Sequence, residues 1–159
     1  MPRTIIDDWN RISEVLDEAE VLHLAMNQPG KDGPRPYCVP VNFAREGRAI
    51  YFHSGLSGRK LELLEADPRV GFTVVSDLGL RKAETACKLG YRFRSVAGTG
   101  RVTVIHGEPE RRFGMRALVT KWERLSGAQG PLPMDERVFE KSTLVLRIDV
   151  GDITMRERD

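Results

Sequence analysis

The groups most able to do chemistry lie together in Tyr51-Phe52-His53-Ser54-Gly55-Leu56-Ser57-Gly58-Arg59-Lys60. The run reads as a strand end, a turn of glycine and serine, and the start of a helix. With Ser57 as N-cap, Arg59 and Lys60 fall in the first helical turn. Cations there face the positive end of the helix dipole, at a cost of about 0.3–1 kcal/mol each. The first acid downstream is Glu62. A bound anion reverses that sign, because free backbone N–H groups, the hydroxyls of Ser54 and Ser57 and two cations all point at it. The physical reading is a phosphate site. The alternative is that both cations are solvated and the turn is only a turn. The run is not a Walker sequence, and no GxGxxG follows any strand.

His53 stands one residue before Ser54 and six before Arg59. A molecule whose phosphate meets Arg59 can therefore run past the imidazole. A titratable ring there can give a proton to a reduced substrate, or serve only as a hydrogen-bond partner. His23 and His106 read as ordinary strand and strand-end residues. Cys38 and Cys87 lack the paired spacing of zinc ligands and are too few for a disulfide framework. No metal site is expected. Cys38 is expected to pack as a small apolar side chain, and Cys87 falls in a polar loop. Trp122 sits on a helical apolar stripe, with contact to a partner's cofactor as the alternative.

These residues need elements to place them. The 159 residues make about one domain on a prior of roughly 100–200. The apolar fraction is 40% and the charged fraction 30%, as in a globular chain. The formal net charge is +2, too even to call for a nucleic-acid or membrane partner. No apolar run nears the ~18 residues of a bilayer span, and Met1–Trp9 lacks a signal-like stretch. The low cysteine count suits a reducing compartment, so a cytoplasmic protein is expected.

Periodicity predicts a helix over Asp7–Ala19 with Asp7 as N-cap, then a strand over Val21–Met26. Gln28–Pro36 is loop chemistry. Cys38–Phe43 is a strand with Val39, Val41 and Phe43 on one face, and Pro40 predicts an edge or a bulge there. Ala49–His53 is a strand with Ile50 and Phe52 opposite Tyr51 and His53. A short helix spans Ser57–Ala66, and Arg69–Ser76 is a strand. Asp77–Gly90 is loop or short helix. Tyr91–Ile105 is a long strand bent at Gly98 and Gly100. Pro109 opens a helix striped by Met115, Leu118, Trp122 and Leu125, which Gly127–Pro133 breaks. A final strand places Leu144, Leu146, Ile148 and Val150 on one face. About six strands, hairpin-like connections and three helical segments predict a mainly β (α+β) fold, an antiparallel barrel with peripheral helices.

Three blocks in order carry a resemblance: Cys38-Val39-Pro40-Val41-Asn42-Phe43; Ile50-Tyr51-Phe52-His53-Ser54 through Gly58-Arg59-Lys60; and Tyr91-Arg92-Phe93-Arg94-Ser95-Val96 with Gly98 and Gly100. Together they resemble the nitroimidazole-resistance branch of the pyridoxamine 5′-phosphate oxidase-like flavoproteins, over Ile6–Ile153. The resemblance implies a single FMN-binding split-barrel domain over residues 1–159 and a homodimer with flavin at the subunit interface. It places Val41 and Asn42 near the isoalloxazine ring. His53, Ser54, Ser57, Arg59 and Lys60 would lie along the ribityl chain and phosphate, and Ser95 and Val96 would approach from one of the two subunits. The substrate-gripping C-terminal arginine motif of true pyridoxamine phosphate oxidases has no counterpart in Arg147–Asp159, which argues against vitamin B6 oxidation. The expected function is an FMN-dependent oxidoreductase acting on a small oxidised substrate such as a nitroaromatic. The rivals are a non-catalytic flavin carrier or sensor, and a barrel that binds haem or a deazaflavin.

Overall fold

The computed structural model describes residues 5–158, except the side chains at positions 77, 136, 138 and 140. Residues 1–4 and 159 of the expected domain, with part of the N-terminal reading, lie outside the described residues. Among the described residues there are seven strands: β1 (Ile5–Ile6), β2 (Val21–Gln28), β3 (Arg35–Glu46), β4 (Ala49–Ser54), β5 (Arg69–Arg81), β6 (Gly90–Ile105) and β7 (Leu144–Arg158). The helices are α1 (Trp9–Glu18), α2 (Arg59–Ala66), α3 (Glu108–Ser126) and α4 (Glu136–Ser142), with a 3₁₀ turn over Ala86–Lys88.

All strand pairings are antiparallel, in the order β1-β7-β4-β3-β2-β5-β6, and β6 returns to β7. Six strands thus close a ring, the predicted barrel. Period-2 alternation sends Leu22, Leu24, Phe43, Ile50, Phe52, Val74, Val96, Leu146 and Ile148 inside, where all are buried. The ladder between β6 and β7 shifts register between Gly98 and Gly100, at the predicted bend. Helix α1 touches β3, β5, β6 and β7 and so lies across one end of the barrel. It buries Ile12, Val15 and Leu16 completely, worth about 1.5–3 kcal/mol for each side chain. Its last-turn carbonyls, which lack helical partners, are taken by α3: Lys121 Nζ donates to Leu16 O at 2.9 Å and Arg124 to Asp17 O at 2.6 Å. No helix among the described residues is long and apolar enough to cross a membrane.

Several boundaries depart from the sequence reading. Asp8, not Asp7, caps α1, accepting from Asn10 N at 2.8 Å. Of the stretch expected as loop or short helix over 77–90, residues 82–89 are loop with a 3₁₀ turn at Ala86–Lys88. Strand β5 continues to Arg81 and, past an irregularity between Ser76 and Gly79, pairs again with β6, so the ends of that stretch are a short two-stranded ribbon. A fourth helix, α4, precedes β7. Cys38 is exposed, because the parity that turns Val39, Val41 and Phe43 inward turns it out. Tyr51 is only 5% exposed although it points out of the barrel. Helix α3 covers that face, and it sits close because Gly114 has no side chain. A Cβ there would lie 2.5 Å from Tyr51 Cδ1 and 2.9 Å from Val145 Cγ1.

Candidate functional site

The barrel splits where β3 changes partners. Residues Arg35–Asn42 pair with β2, while only Phe43–Glu46 pair with β4. Among the described residues, the β4-side edge of β3 from Arg35 to Asn42 therefore has no strand partner. Pro40 lies in this stretch, opposite His23 of β2, as a residue without an N–H requires. The start of α2 comes up against the opening. The Arg59 guanidinium lies 5.3 Å from the Tyr37 ring centroid, and Lys60 Nζ lies 5.6 Å from that of Phe52.

A cavity of about 280 Å³ occupies the split, lined by Val21, Pro40, Val41, Asn42, His53 and Lys60. Four predicted residues, Val41, Asn42, His53 and Lys60, thus meet in one place. Ser54, Ser57 and Arg59 follow on the adjoining β4–α2 connection. Ser57 is not the N-cap. Gly58 is, with φ of 128°, a backbone state that side chains resist. Its carbonyl accepts from Leu61 N and Glu62 N, and no side chain caps the first turn. The free N–H groups of that turn remain beside two cations. Ser95 and Val96 lie elsewhere, on β6 between β5 and β7. The Ser95 hydroxyl is 3.5 Å from Arg156 O, and Val96 is wholly buried, its carbonyl accepting from Thr73 Oγ1 at 2.9 Å, so it is closed to a ligand within this chain.

The site is electrostatically unfinished. Lys60 has no carboxylate partner among the described residues, and burial pushes its ammonium below the ordinary lysine range. His53 Nδ1 is buried without a hydrogen-bond partner. Burial first, and the charge of Lys60 second, push the His53 pKa below its ordinary value, so the ring is neutral at pH 7. The ring meets Trp122 of α3 edge to face, with centroids 5.6 Å apart. Sequence reasoning missed Val21, which joins the site because it pairs with Asn42. It also missed Lys121, buried under α3 with Nζ 3.7 Å from the Phe43 ring centroid and a pKa pushed down to about 8. Nothing local signals either one.

Residues 8–157 match the family described as pyridoxamine 5′-phosphate oxidase. The chain belongs to the pyridoxamine 5′-phosphate oxidase family. No curated protein matches the chain. Among solved structures, this family member is similar to a candidate 5-nitroimidazole antibiotic resistance protein from Bacteroides thetaiotaomicron. That likeness has a TM-score of 0.79 and 22% identity, covering 98% of this chain and 87% of the other. It is similar to the flavocytochrome Anf3 from Azotobacter vinelandii, with a TM-score of 0.76 and 26% identity, over 98% of this chain and 69% of that one. A FAD and haem binding protein from Mycobacterium smegmatis gives 0.79 and 19%, over 98% and 73%.

Proposed function

We propose that this member of the pyridoxamine 5′-phosphate oxidase family is an FMN-dependent oxidoreductase, one flavin-binding domain over residues 1–159, that reduces a small oxidised substrate such as a nitroaromatic. One observation carries the reading: at an uncapped helix start, Lys60, with Arg59 beside it and, among the described residues, no carboxylate partner for either, lines a cavity that His53, with its orphaned Nδ1, also lines. Each deficit is one that a phosphorylated, hydrogen-bonding ligand removes.

Arg59, Lys60 and the first-turn N–H groups of α2 would hold the phosphate, with Ser54 and Ser57 close by. His53, neutral at pH 7, offers one donor and one acceptor and would hold the ribityl chain. Val41 and Asn42 would lie along the ring. Bound FMN would supply the electron transfer itself; the protein holds it and controls what reaches it. Homodimerisation fits the same reading. The outward faces of β2, β5 and β6 carry the small residues Ala25 and Gly71, half-buried, and Thr73 and Ala97, exposed, which suits a second copy related by a two-fold axis. Ser95 of a partner subunit would then complete the flavin site.

Replacing Arg59 and Lys60 together by Ala tests the reading. Hydrogen bonds to charged groups contribute about 1.5–3 kcal/mol, so FMN affinity should fall several-fold to several-hundred-fold. Riboflavin, which lacks the phosphate, should bind the variant nearly as well as the wild type. Equal loss for both ligands would assign the pair to the fold instead. The spectrum of the purified protein separates flavin from haem, and turnover with a nicotinamide donor separates an enzyme from a carrier.

A further inference from the structure

Helix α3 lays an aromatic ring on each of two outward side chains of β4. Phe113 meets Tyr51 with ring centroids 5.8 Å apart and planes at 77°, and Trp122 meets His53 at 5.6 Å and 74°. Tyr51 has a second restraint, the hydrogen bond from its hydroxyl to Glu110. An imidazole is ordinarily oriented in the same way, by a hydrogen bond at one ring nitrogen. His53 Nδ1 has no such bond among the described residues. We infer that Trp122 is a positioning residue, which holds the His53 imidazole in the pose that a ligand in the split meets and does not touch that ligand itself. The inference rests on the flavin reading of the cavity and adds the residue that sets its histidine in advance.

The cavity in the split is walled by Val21, Pro40, Val41, Asn42, His53 and Lys60, so Trp122 reaches it only through His53. The outer torsion of a histidine is broad and roughly two-fold, and an unrestrained ring samples several poses. An edge-to-face partner at this separation biases such a ring roughly two- to tenfold. The indole is itself backed, because it packs against the buried cluster of Ala44 on β3 and Ala117 and Leu118 on α3. Setting the ring in advance matters, since ordering a side chain on binding lowers affinity. The choice of restraint matters too. A hydrogen bond would fix the imidazole by occupying a nitrogen, whereas an edge-on indole fixes it and leaves Nδ1 uncommitted.

The test is a double-mutant cycle on the full-length protein, with FMN and riboflavin as probes. Trp122 is half-buried, and Trp122→Met fills its place without a ring, while Trp122→Phe restores one. Trp122→Met should lose roughly two- to tenfold in affinity for both flavins, because the ribityl chain read as meeting His53 is common to them. Trp122→Phe should stay within about twofold of wild type. In a His53→Gln background, Trp122→Met should cause no further loss. Couplings across the Cα–Cβ bond of isotope-labelled His53 in the ligand-free protein give a second readout. They should report one rotamer in wild type and Trp122→Phe, and an average in Trp122→Met. Wild-type flavin affinity in Trp122→Met would overturn the proposal. So would an equal loss in Trp122→Phe, or a full loss in the His53→Gln background, since Trp122 would then act on the fold or the flavin directly. Averaged couplings in wild type, or a single rotamer in Trp122→Met, would overturn it as well. If the wild type bound neither flavin, the flavin reading would fall, and the couplings alone would uphold or overturn the role of Trp122.

Discussion

Tyr51 and His53 stand two residues apart on β4, point the same way and lie beneath the same helix, yet their surroundings are opposites. Around Tyr51 every charge is answered. Its hydroxyl donates to Glu110 Oε1 at 3.2 Å, Arg147 also binds Glu110, and the other side of that guanidinium grips Asp149 at 2.8 and 3.2 Å. Burial and the Glu110 carboxylate raise the Tyr51 pKa, so the phenol stays protonated and simply ties β4 to α3. Around His53 the polar groups meet only rings: among the described residues, Nδ1 has no hydrogen-bond partner and Lys60 has no carboxylate. Buried polar groups are normally satisfied, and a deficit beside a cavity marks the place where a ligand completes the structure. One strand therefore carries an anchor at one position and a candidate site at the next outward one.

Tightening the anchor should have the largest effect. Gly114→Ala puts a methyl group 2.5 Å from Tyr51 Cδ1, a contact that cannot persist. Overpacking of this kind costs about 1–3 kcal/mol, to be read from urea unfolding. The folded variant should bind FMN as wild type does, because the split lies beyond the contact. A matching loss of FMN affinity would show that anchor and site are one unit.

The contrast also marks what sequence can reveal. The barrel was legible because inward positions of β3, β4 and β7 alternate strictly, and the candidate site because His53, Ser54, Arg59 and Lys60 are close in sequence. The hidden parts depend on distant segments. Period 2 assigns Tyr51 to the outward face but cannot say that α3 covers it. Nothing near Lys121 announces the open end of α1, 105 residues earlier, that it caps. The Ser57 cap prediction failed by one residue because serine preference is a weaker constraint than the left-handed φ that only Gly58 adopts easily. Trp122 reads as core from its stripe, and only the meeting of α3 with β4 brings its ring against His53.

Lys121 gives the next effect, on the anchor side of α3. Its pKa is pushed down to about 8 by burial, while in the unfolded chain it lies near the ordinary ~10.4. Between those values the unfolded chain binds more protons than the native one, so stability rises with pH across that window. The gain, discounted for solvent screening, should be about 1–2 kcal/mol between pH 8 and 10. Lys121→Met should remove the rise without abolishing FMN binding. The difference between the two proteins' unfolding curves over this range measures it, and identical pH dependence would show that the ammonium is better solvated than its surroundings indicate.

The smallest effect falls on the site itself and is the sharpest discriminator of what His53 does. Burial is the larger cause of its lowered pKa and Lys60 the smaller. Lys60→Met should therefore raise the His53 pKa but leave it below the ordinary ~6.5. With only three histidines in the chain, imidazole proton NMR resolves the titration, and His53→Gln identifies the resonance. The sign on stability follows. A ring that resists protonation in the native state makes the protein lose stability as pH falls through ~6.5 toward the lowered value, and His53→Gln should flatten that loss. A neutral ring at pH 7 is a poor reservoir of protons for a general acid. FMN-saturated His53→Gln should then keep most of its turnover while FMN affinity drops by about 1 kcal/mol. A fall in turnover of about 10²–10⁴-fold at unchanged affinity would instead make His53 the proton donor, and the orphaned Nδ1 would be read as the proton's exit rather than a clasp on the cofactor.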